Sequence, residues 1–474
     1  MYFNDRILMI VFLKRDITMI KQKIFAALLV LLTGLAANAK TTPENSAKLG
    51  KELTPFGAIK AGNAAGTIPS WQGGLTPEKI PSSYQGEGQH HPSPFPKDKP
   101  LFVIDAKNYT QYSEQLSAGV IEMLRKYPDT FRLPIYESRR THSAPKWVEE
   151  NTFNNATTAE LVSDGAGVAN AYGGIPFPIA DSATEILWNH ILRWRGGYIV
   201  RDSSEAAIRA DGRYSLTTSH VEADFLYYQK DGSFEKMNNT IFYYLAQTTS
   251  PPRLAGGATL IHEKMDQKKE ARQAWLYSAG LRRVRRAPNL AFDAPIDGSG
   301  GLRTTDDTDM YNGSPERYDW EIVGKKELYI PYNNYELGSN KHKYKDILIP
   351  GHVNSELTRW ELHRVWVIEG NLKEGERHIY SRRTFYLDED SWSIALADQY
   401  DGRGQLWRVS IAFLKNYYEV PTTWTALDAF HDLQAKQYHV QFLDNEEEKT
   451  LSFDTSSPAS SRFQPSSLRR LGKR

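Results

Sequence analysis

From Tyr198 onward, apolar and polar side chains alternate over a series of short segments. A period of two residues places successive side chains on opposite faces of a strand. Short polar turns such as Lys230-Asp231-Gly232 join the segments, and turns of this length connect antiparallel neighbours. Aromatic residues, which are favoured in strands, make up 12% of the chain. The pattern predicts a large antiparallel meander.

The predicted strands form two groups, which we interpret as halves of one continuous sheet. The first group covers residues 198–201, 221–230, 237–248, 258–265 and the strand-turn-strand segment 271–288. The second group covers residues 359–369, 377–387, 393–400 and 405–415. The predicted fold class is therefore β-rich α+β.

Helical spacing of apolar residues predicts three helices, over residues 108–127, 182–195 and 426–437. The second helix has the clearest start, because Ser182 followed three residues later by Glu185 forms a capping box. His190 lies on the apolar stripe of this helix, and we interpret it as a hydrogen-bonded core histidine.

The first forty residues have the pattern of a cleavable export signal. Lys21-Gln22-Lys23 precedes an apolar run over residues 24–37, which is shorter than the roughly 20 residues of a membrane span. Cleavage is expected between Ala39 and Lys40, because Ala37-Asn38-Ala39 fits the small-x-small rule. Translation from Met1 or from Met19 remains open, since Met19 directly precedes the basic region.

We divide the chain into a signal peptide (1–39, with 1–18 as an over-extended start if translation begins at Met19), a loop-rich extension (40–107), a β domain with helices (108–455) and a disordered tail (456–474). The extension is rich in Gly and Pro. It is either an ordered loop held by Trp71 or a flexible N-terminus. Export of a chain without cysteine favours the Gram-negative periplasm, and it excludes disulfides and thiolate chemistry.

We find no catalytic or metal-binding motif in the sequence. We find no phosphate-binding glycine loop and no nucleophile elbow. Asp388-Glu389-Asp390 is interpreted as a turn at a strand end. The aspartates between residues 293 and 309 do not follow calcium-loop spacing, and we expect this acidic loop to face the basic strand 282–286. No catalytic residue, cofactor or metal is predicted, and the net charge of +1 gives no reason to expect a nucleic-acid partner.

Aromatic residues in the predicted strands are candidates for lining an apolar cavity, because their rings are apolar and their polar atoms can meet a ligand. Arg283 and Arg285 share a face opposite Val284, where they can meet an anionic headgroup or an acidic partner. The alternatives are that the rings fill the core and that the arginines lie on a solvated strand face. The candidate cavity residues are Tyr243, Trp275, Tyr277, Trp366, Tyr386, Trp392 and Trp407.

Several runs together resemble a periplasmic family catalogued as domain of unknown function 1329 (DUF1329). The segment 271–288 also resembles the outer-membrane lipoprotein-sorting (LolA/LolB-like) fold, as do Arg382 to Asp388 and Tyr400-Asp401 with Gly404. The runs that carry the family resemblance are Leu53-Thr54-Pro55 through Gly62-Asn63, Gly66-Thr67-Ile68-Pro69 with Trp71 and Gly73-Gly74, Gly173 to Pro178, Trp188-Asn189-His190, Trp275 and Tyr277 with Arg282 to Pro288, and Tyr329 with Pro331-Tyr332-Asn333.

The resemblance implies a strongly curved antiparallel half-barrel whose concave face is covered by helices, with long loop insertions. It also implies a non-enzymatic periplasmic protein that binds lipid, lipoprotein or another hydrophobic cargo. An envelope exporter of the resistance-nodulation-division type and an outer-membrane protein are the implied partners. A structural adaptor without cargo is the alternative. A weaker alternative is an envelope-polymer hydrolase, which needs two carboxylates about 5–9.5 Å apart.

Overall fold

In the part of the chain that the structure describes, one sheet of 16 strands contains both predicted strand groups, and its two ends do not meet. The computed structural model describes residues 41–287, 292–296, 298–454 and 457–471. The predicted signal peptide and its cleavage site at Ala39 and Lys40 lie outside the described residues, as do Pro288 and Asp297. Among the described residues, no helix is both long and apolar enough to cross a bilayer.

The strands are numbered in chain order. They are β1 Phe102–Ile104, β2 Leu133–Tyr136, β3 Glu160–Val162, β4 Gly167–Ala169, β5 Tyr198–Ile208, β6 Tyr214–Asp224, β7 Thr240–Ser250, β8 Ala258–Lys264, β9 Gln273–Ser278, β10 Arg283–Arg286, β11 Tyr318–Pro331, β12 Leu348–Ile349, β13 His352–Val353, β14 Trp360–Leu372, β15 Arg382–Asp388, β16 Ile394–Tyr400, β17 Leu406–Tyr417, β18 Thr422–Asp432, β19 Gln437–Leu443 and β20 Ser452–Asp454.

The α-helices are short and lie outside the sheet. They are α1 Pro43–Ser46, α2 Ala118–Lys126, α3 Lys146–Thr158, α4 Ala183–Ile191, α5 Tyr344–Ile347 and α6 Pro465–Leu471. The 3-10 helices are Pro77–Lys79, Tyr109–Gln115, Ser163–Gly165, Leu226–Tyr228, Thr305–Asp307, Pro315–Arg317, Ser355–Leu357 and Ser460–Phe463.

The strand order shows how the two groups join. Along the sheet it reads β1-β2-β14-β15-β16-β17-β18-β19-β5-β6-β7-β8-β9-β10, with β11 paired to β14 and β20 to β5. Pairing is antiparallel except between β2 and β14. The first meander, β5–β10, meets the second, β14–β19, where β19 pairs with β5. The prediction of one continuous sheet is therefore confirmed.

Helices and loops cover the second meander. Helix α2 approaches β16 and β17 so closely that a Cβ atom on Gly119 would lie 2.2 Å from the Asp398 carboxylate. Helix α4 packs on β11 and β14. Its capping box is formed by Ser182 and Glu185, and its buried His190 bonds to main-chain atoms of Trp392, Ile394 and Asp309. The predicted helix start and the core role of His190 are both confirmed.

The predicted helix over residues 108–127 is divided into the 3-10 helix Tyr109–Gln115 and helix α2. Two further predicted segments differ from the structure. Residues 426–437 are not a helix, because β18 and the turn after it occupy them. All eleven residues of β18 are buried, and a strand covered on both faces loses the alternation that identifies strands. The described part of the predicted disordered tail is ordered. It contains a 3-10 helix and α6, and it buries Phe463 and Leu468 completely.

The N-terminal loops are fastened to the sheet by Arg140. Its guanidinium bonds both oxygens of Asp390 at 2.6 and 2.8 Å and donates to the carbonyls of Ile59, Lys60 and Pro69. The Arg140 and Asp390 side chains are 3% and 4% exposed. Because a buried charge needs a partner, this pair fixes both the loop and the turn after β15. Of the two alternatives for this region, the structure shows the ordered loop.

Replacing Arg140 by alanine should destabilise the fold by about 3–5 kcal/mol, because the Asp390 carboxylate would stay buried without its partner. Urea unfolding followed by circular dichroism measures this loss. The control is Arg213→Ala, which removes an exposed ion pair with Asp211 and should leave the midpoint unchanged. Equal midpoints for the two variants would contradict the assigned role.

Candidate functional site

Three of the predicted cavity residues lie together on β7 and β9. Tyr243, Trp275 and Tyr277 belong to a small apolar core that is separate from the main core of the protein. Residues 457–471, here called the C-terminal segment, cover this core with Phe463 and Leu468, whose exposure is 0%. The site is therefore an apolar sheet face that the chain closes with its own end.

Aromatic stacking fixes the near end of the C-terminal segment. The Phe463 ring stacks on Tyr243 with centroids 5.5 Å apart. His262 lies between Tyr243 and Trp275, at 4.5 and 4.8 Å. Burial lowers the pKa of His262, so the ring is neutral at pH 7, and its Nε2 donates to the Phe463 carbonyl at 2.8 Å.

A polar contact at the border of the core holds Arg462. This side chain forms a two-pronged ion pair with Glu222, whose carboxylate also accepts from the Tyr198 hydroxyl at 2.8 Å and lies 3.5 Å from His220. Burial alone would raise the pKa of Glu222, but the hydrogen bonds from His220, Arg462 and Tyr198 outweigh it and lower the pKa to about 2. At the far end, the Gln247 amide donates to the Leu471 carbonyl at 3.0 Å.

The other four predicted cavity residues do not join this core. Trp366 and Trp392 stack on each other with centroids 6.2 Å apart. Tyr386 donates to the buried Asp398 at 2.9 Å, and Trp407 donates to an aspartate of β18 at 2.9 Å. The structure thus separates the seven residues into different packing groups.

Arg283 and Arg285 are exposed, while Val284 between them packs toward the small core. Strand β10 is an edge of the sheet. Within the part of the chain that the structure describes, neither arginine forms an ion pair. They flank the site without a neutralising partner among the described residues.

The acidic loop does not face strand 282–286, so that prediction is wrong. Asp306 is buried against Arg383 at 2.8 Å, and Asp309 is buried against the two arginines that follow helix α4. The aspartates pair with these buried arginines and not with those of β10, because a carboxylate taken out of water needs a cation inside the protein, whereas the arginines of β10 stay in solvent.

A second group of titratable residues is buried beside the Asp388 turn. His363, Asp388 and Asp390 offer one metal-ligating atom each within 4.8 Å of one another. Asp390 is already held by Arg140, and the Nε2 of His363 lies 3.1 Å from Glu361. Burial opposes a charge on His363, but Glu361 and Asp388 outweigh it and raise its pKa. Burial and the neighbouring Asp390 raise the pKa of Asp388 to about 6.

The turn in this group is the one predicted at Asp388-Glu389-Asp390, whereas its buried partners were not predicted. Glu361 and His363 occupy alternate positions on β14, which is the signal that places them on one face. Arg140 lies 250 residues from its partner Asp390, so no local pattern announces it. Internal partners occupy this group, and its residues are 1–3% exposed.

Two depressions of about 310 and 510 Å³ lie on the described surface. The first borders helix α3, and the second lies between β5, β6 and helix α5. Neither is lined by any of the predicted cavity residues.

Fold and site together define an open, predominantly antiparallel sheet protein with an apolar face closed by the C-terminal segment. The chain belongs to the family described as Protein of unknown function (DUF1329), whose model matches residues 103–469. The predicted family membership is confirmed.

Relatives of the chain are found among both sequences and solved structures. Uncharacterized protein PA3922 of Pseudomonas aeruginosa is 45% identical over 436 residues, covering 92% of this chain and 95% of the relative. An outer-membrane lipoprotein-sorting protein domain from Vibrio parahaemolyticus is 16% identical, covers 60% of this chain and 97% of its own, and has a TM-score of 0.42. A DUF1329 family protein from Desulfovibrio piger is 14% identical, covers 58% and 92%, and has a TM-score of 0.40.

Phe463→Ala should loosen the C-terminal segment without unfolding the sheet. Truncating a buried phenylalanine costs about 3 kcal/mol or more, which corresponds to roughly hundredfold faster local opening. Hydrogen-exchange mass spectrometry of peptides from residues 457–471 measures this opening. Phe153→Ala in helix α3, where the side chain is 49% exposed, is the control. Unchanged exchange in the Phe463 variant would contradict the anchoring role.

Acid should release the same segment. A carboxylate whose folded pKa is lowered stabilises the fold above its ordinary pKa, and this stabilisation is lost as the pH falls through the folded value. For Glu222 the window runs from pH 4.5 down to about 2. Because the chain has no cysteine, a nitroxide placed at the exposed Ser466 by Ser466→Cys reports the motion of the segment. The label should become mobile across that window, and Glu222→Gln should flatten the profile. Identical profiles would reject Glu222 as the cause.

Proposed function

We propose that the protein binds the acyl chain of a lipid or lipid-modified protein without catalysis, and that this chain replaces Phe463 and Leu468 over strands β7–β9. The observation that carries the proposal is the small core itself. Its upper layer comes from a terminal segment of the chain, and its lower layer is a sheet face with Tyr243, Trp275 and Tyr277. Removing the segment would leave an apolar strip that a linear hydrocarbon chain can cover.

The C-terminal segment and an acyl chain would gain comparable free energies from burying apolar groups on this sheet face. Burying phenylalanine and leucine side chains stabilises by about 1.5–3 kcal/mol each, so Phe463 and Leu468 together contribute about 3–6 kcal/mol. An acyl chain gains about 0.8 kcal/mol for each buried CH₂ group. About four to eight buried methylenes therefore match the two side chains, and ordinary lipid chains are longer. A long acyl chain can compete with the segment, whereas a short one cannot.

The fastening of the segment also supports its displacement. Arg462, its ion-pairing residue, is 33% exposed. Two other covers of the sheet are the N-terminal loops, which Arg140 fixes, and the loop that contains Asp306, which Arg383 fixes. The side chains of these two arginines are nearly inaccessible, with 3% exposure for Arg140 and 0% for Arg383. Ion pairs near solvent contribute less because water screens them. The C-terminal segment is thus held by a weaker charge contact than these two covers.

Arg283 and Arg285 are proposed to receive the anionic headgroup of the cargo, because they are exposed beside the site and unneutralised by described residues. The periplasmic location and the exporter association stay proposals that rest on the family resemblance and the expected signal peptide.

The adaptor alternative is favoured by one observation, the exposed edge of β10, where a partner strand can pair. The hydrolase alternative finds no support at Asp388 and Asp390, whose 1% and 3% exposure leaves no room for a polymer.

Binding of a long-chain fatty acid tests the proposal. Isothermal titration should show that Trp275→Ala weakens binding about tenfold, because part of the apolar floor is lost. Phe463→Ala should tighten binding about tenfold or more, because the competing side chain is gone. Trp407→Ala is the matched control, since this tryptophan lies outside the small core. The nitroxide at Ser466→Cys should become mobile when the fatty acid is added.

Native mass spectrometry after gentle purification provides an independent readout, in which the wild-type protein should carry lipid. Absence of lipid together with no fatty-acid binding in the Phe463 variant would reject the carrier function. Binding that is unaffected by both Trp275→Ala and Phe463→Ala would place the hydrocarbon elsewhere on the protein.

A further inference from the structure

The turns at one end of the first meander expose leucine and arginine side by side. The β7–β8 turn carries Arg253 and Leu254, and Leu254 is 40% exposed. The β9–β10 turn carries Leu281, which is 56% exposed, followed by Arg282. The two turns touch, since a Cβ atom on Gly256 would lie 3.3 Å from the Ala279 methyl group.

Helix α6 brings further arginines to the same end. Its start lies near His262, which bonds the Phe463 carbonyl, and its last residue accepts a hydrogen bond from Gln247. Across the sheet, Gln247 is paired with Ala258, Ala258 with Tyr277, and Tyr277 with Val284. Gln247 therefore lies close to the two turns. The exposed Arg469 and Arg470 of the last helical turn therefore lie toward the same end as Leu254 and Leu281.

Acidic side chains are missing from the strands that carry these two turns and from the C-terminal segment, whereas the β5–β6 turn at the same end of the meander carries Asp211, which pairs with Arg213. Residues 243–261, 271–287 and 457–471 contain no aspartate or glutamate. Seven of their arginines are exposed and form no ion pair with any residue that the structure describes, although the whole chain has a net charge of only +1. We call this surface the arginine end, and it consists of Arg253, Leu254, Leu281, Arg282, Arg283, Arg285, Arg286, Arg469 and Arg470.

We propose that the arginine end docks the protein on the surface of an anionic lipid bilayer. Leu254 and Leu281 enter the headgroup layer, and the arginines lie against the lipid phosphates. Bilayer interfaces favour this combination, because apolar tips gain from leaving water while flanking cations are attracted by the negative surface. Arg285 lies about 7 Å along β10 from Arg283, and thus within one Debye length. The exposed leucines favour a bilayer over an acidic protein strand, which would need the arginines alone.

Flotation of the full chain with lipid vesicles tests the proposal. The protein should float with vesicles that contain phosphatidylglycerol and not with pure phosphatidylcholine vesicles, and added salt should release it. Arg282→Ser with Arg283→Ser should lower the partition coefficient about 25-fold, at roughly fivefold for each arginine. Leu254→Ser with Leu281→Ser should lower it about tenfold or more, with an unchanged melting temperature because both leucines are exposed.

Two control variants match these changes. Arg125→Ser with Arg132→Ser removes the same charge from exposed positions elsewhere. Ile322→Ser with Val323→Ser removes exposed apolar side chains from β11, the strand that borders β14. Neither control should change the partition coefficient.

The proposal is overturned if phosphatidylglycerol vesicles do not bind the protein, or if the controls weaken binding as much as the test variants. It is also overturned if the arginine variant loses binding while the leucine variant keeps it, since that result indicates electrostatic adsorption without insertion of the leucines. The docking surface shares Arg283 and Arg285 with the proposed headgroup site, but it does not include the apolar floor that would hold the acyl chain. Titration of soluble fatty acid into the leucine variant separates the two, because cargo binding should survive there.

Discussion

Buried guanidinium groups fasten the covers of the sheet to its strands. Arg140 joins the N-terminal loops to the turn after β15, and Arg383 holds the loop that contains Asp306. Each pair places a charge where water cannot reach it, so neither partner can separate without leaving the other unneutralised. The loops that cover the main core are consequently held firmly to the sheet, even though loops rather than helices supply much of its cover.

The C-terminal segment is not fastened by a buried guanidinium group. Its charge contact, between Arg462 and Glu222, borders solvent, and its apolar contact depends mainly on Phe463 and Leu468. Local stability is not uniform in a protein, and segments with few buried contacts open first. The same segment covers the apolar floor on β7–β9 and carries Arg469 and Arg470 of the arginine end. The proposed cargo binding and the proposed membrane contact therefore concern one region of the fold.

The sequence allowed prediction wherever the signal was local. The capping box of Ser182 and Glu185 located helix α4, and the period of two located most strands of both meanders. Strand β18 was missed because complete burial removes its alternation. Arg140 with Asp390 and Glu222 with Arg462 could not be predicted, because 240 or more residues separate the partners. Of the candidate site, Tyr243, Trp275 and Tyr277 were named in advance, and their cover was mistaken for a disordered tail.

The position of that cover in the chain has a consequence for the order of folding. Strands β7–β9 are synthesised some two hundred residues before Phe463 and Leu468. A polypeptide emerging from its N-terminus can pair these strands early, since neighbouring hairpins need little loop closure. The apolar floor then stays open to water until Phe463 and Leu468 arrive. During this interval the nascent protein exposes the surface that the finished protein keeps closed, and a folding helper would find it there.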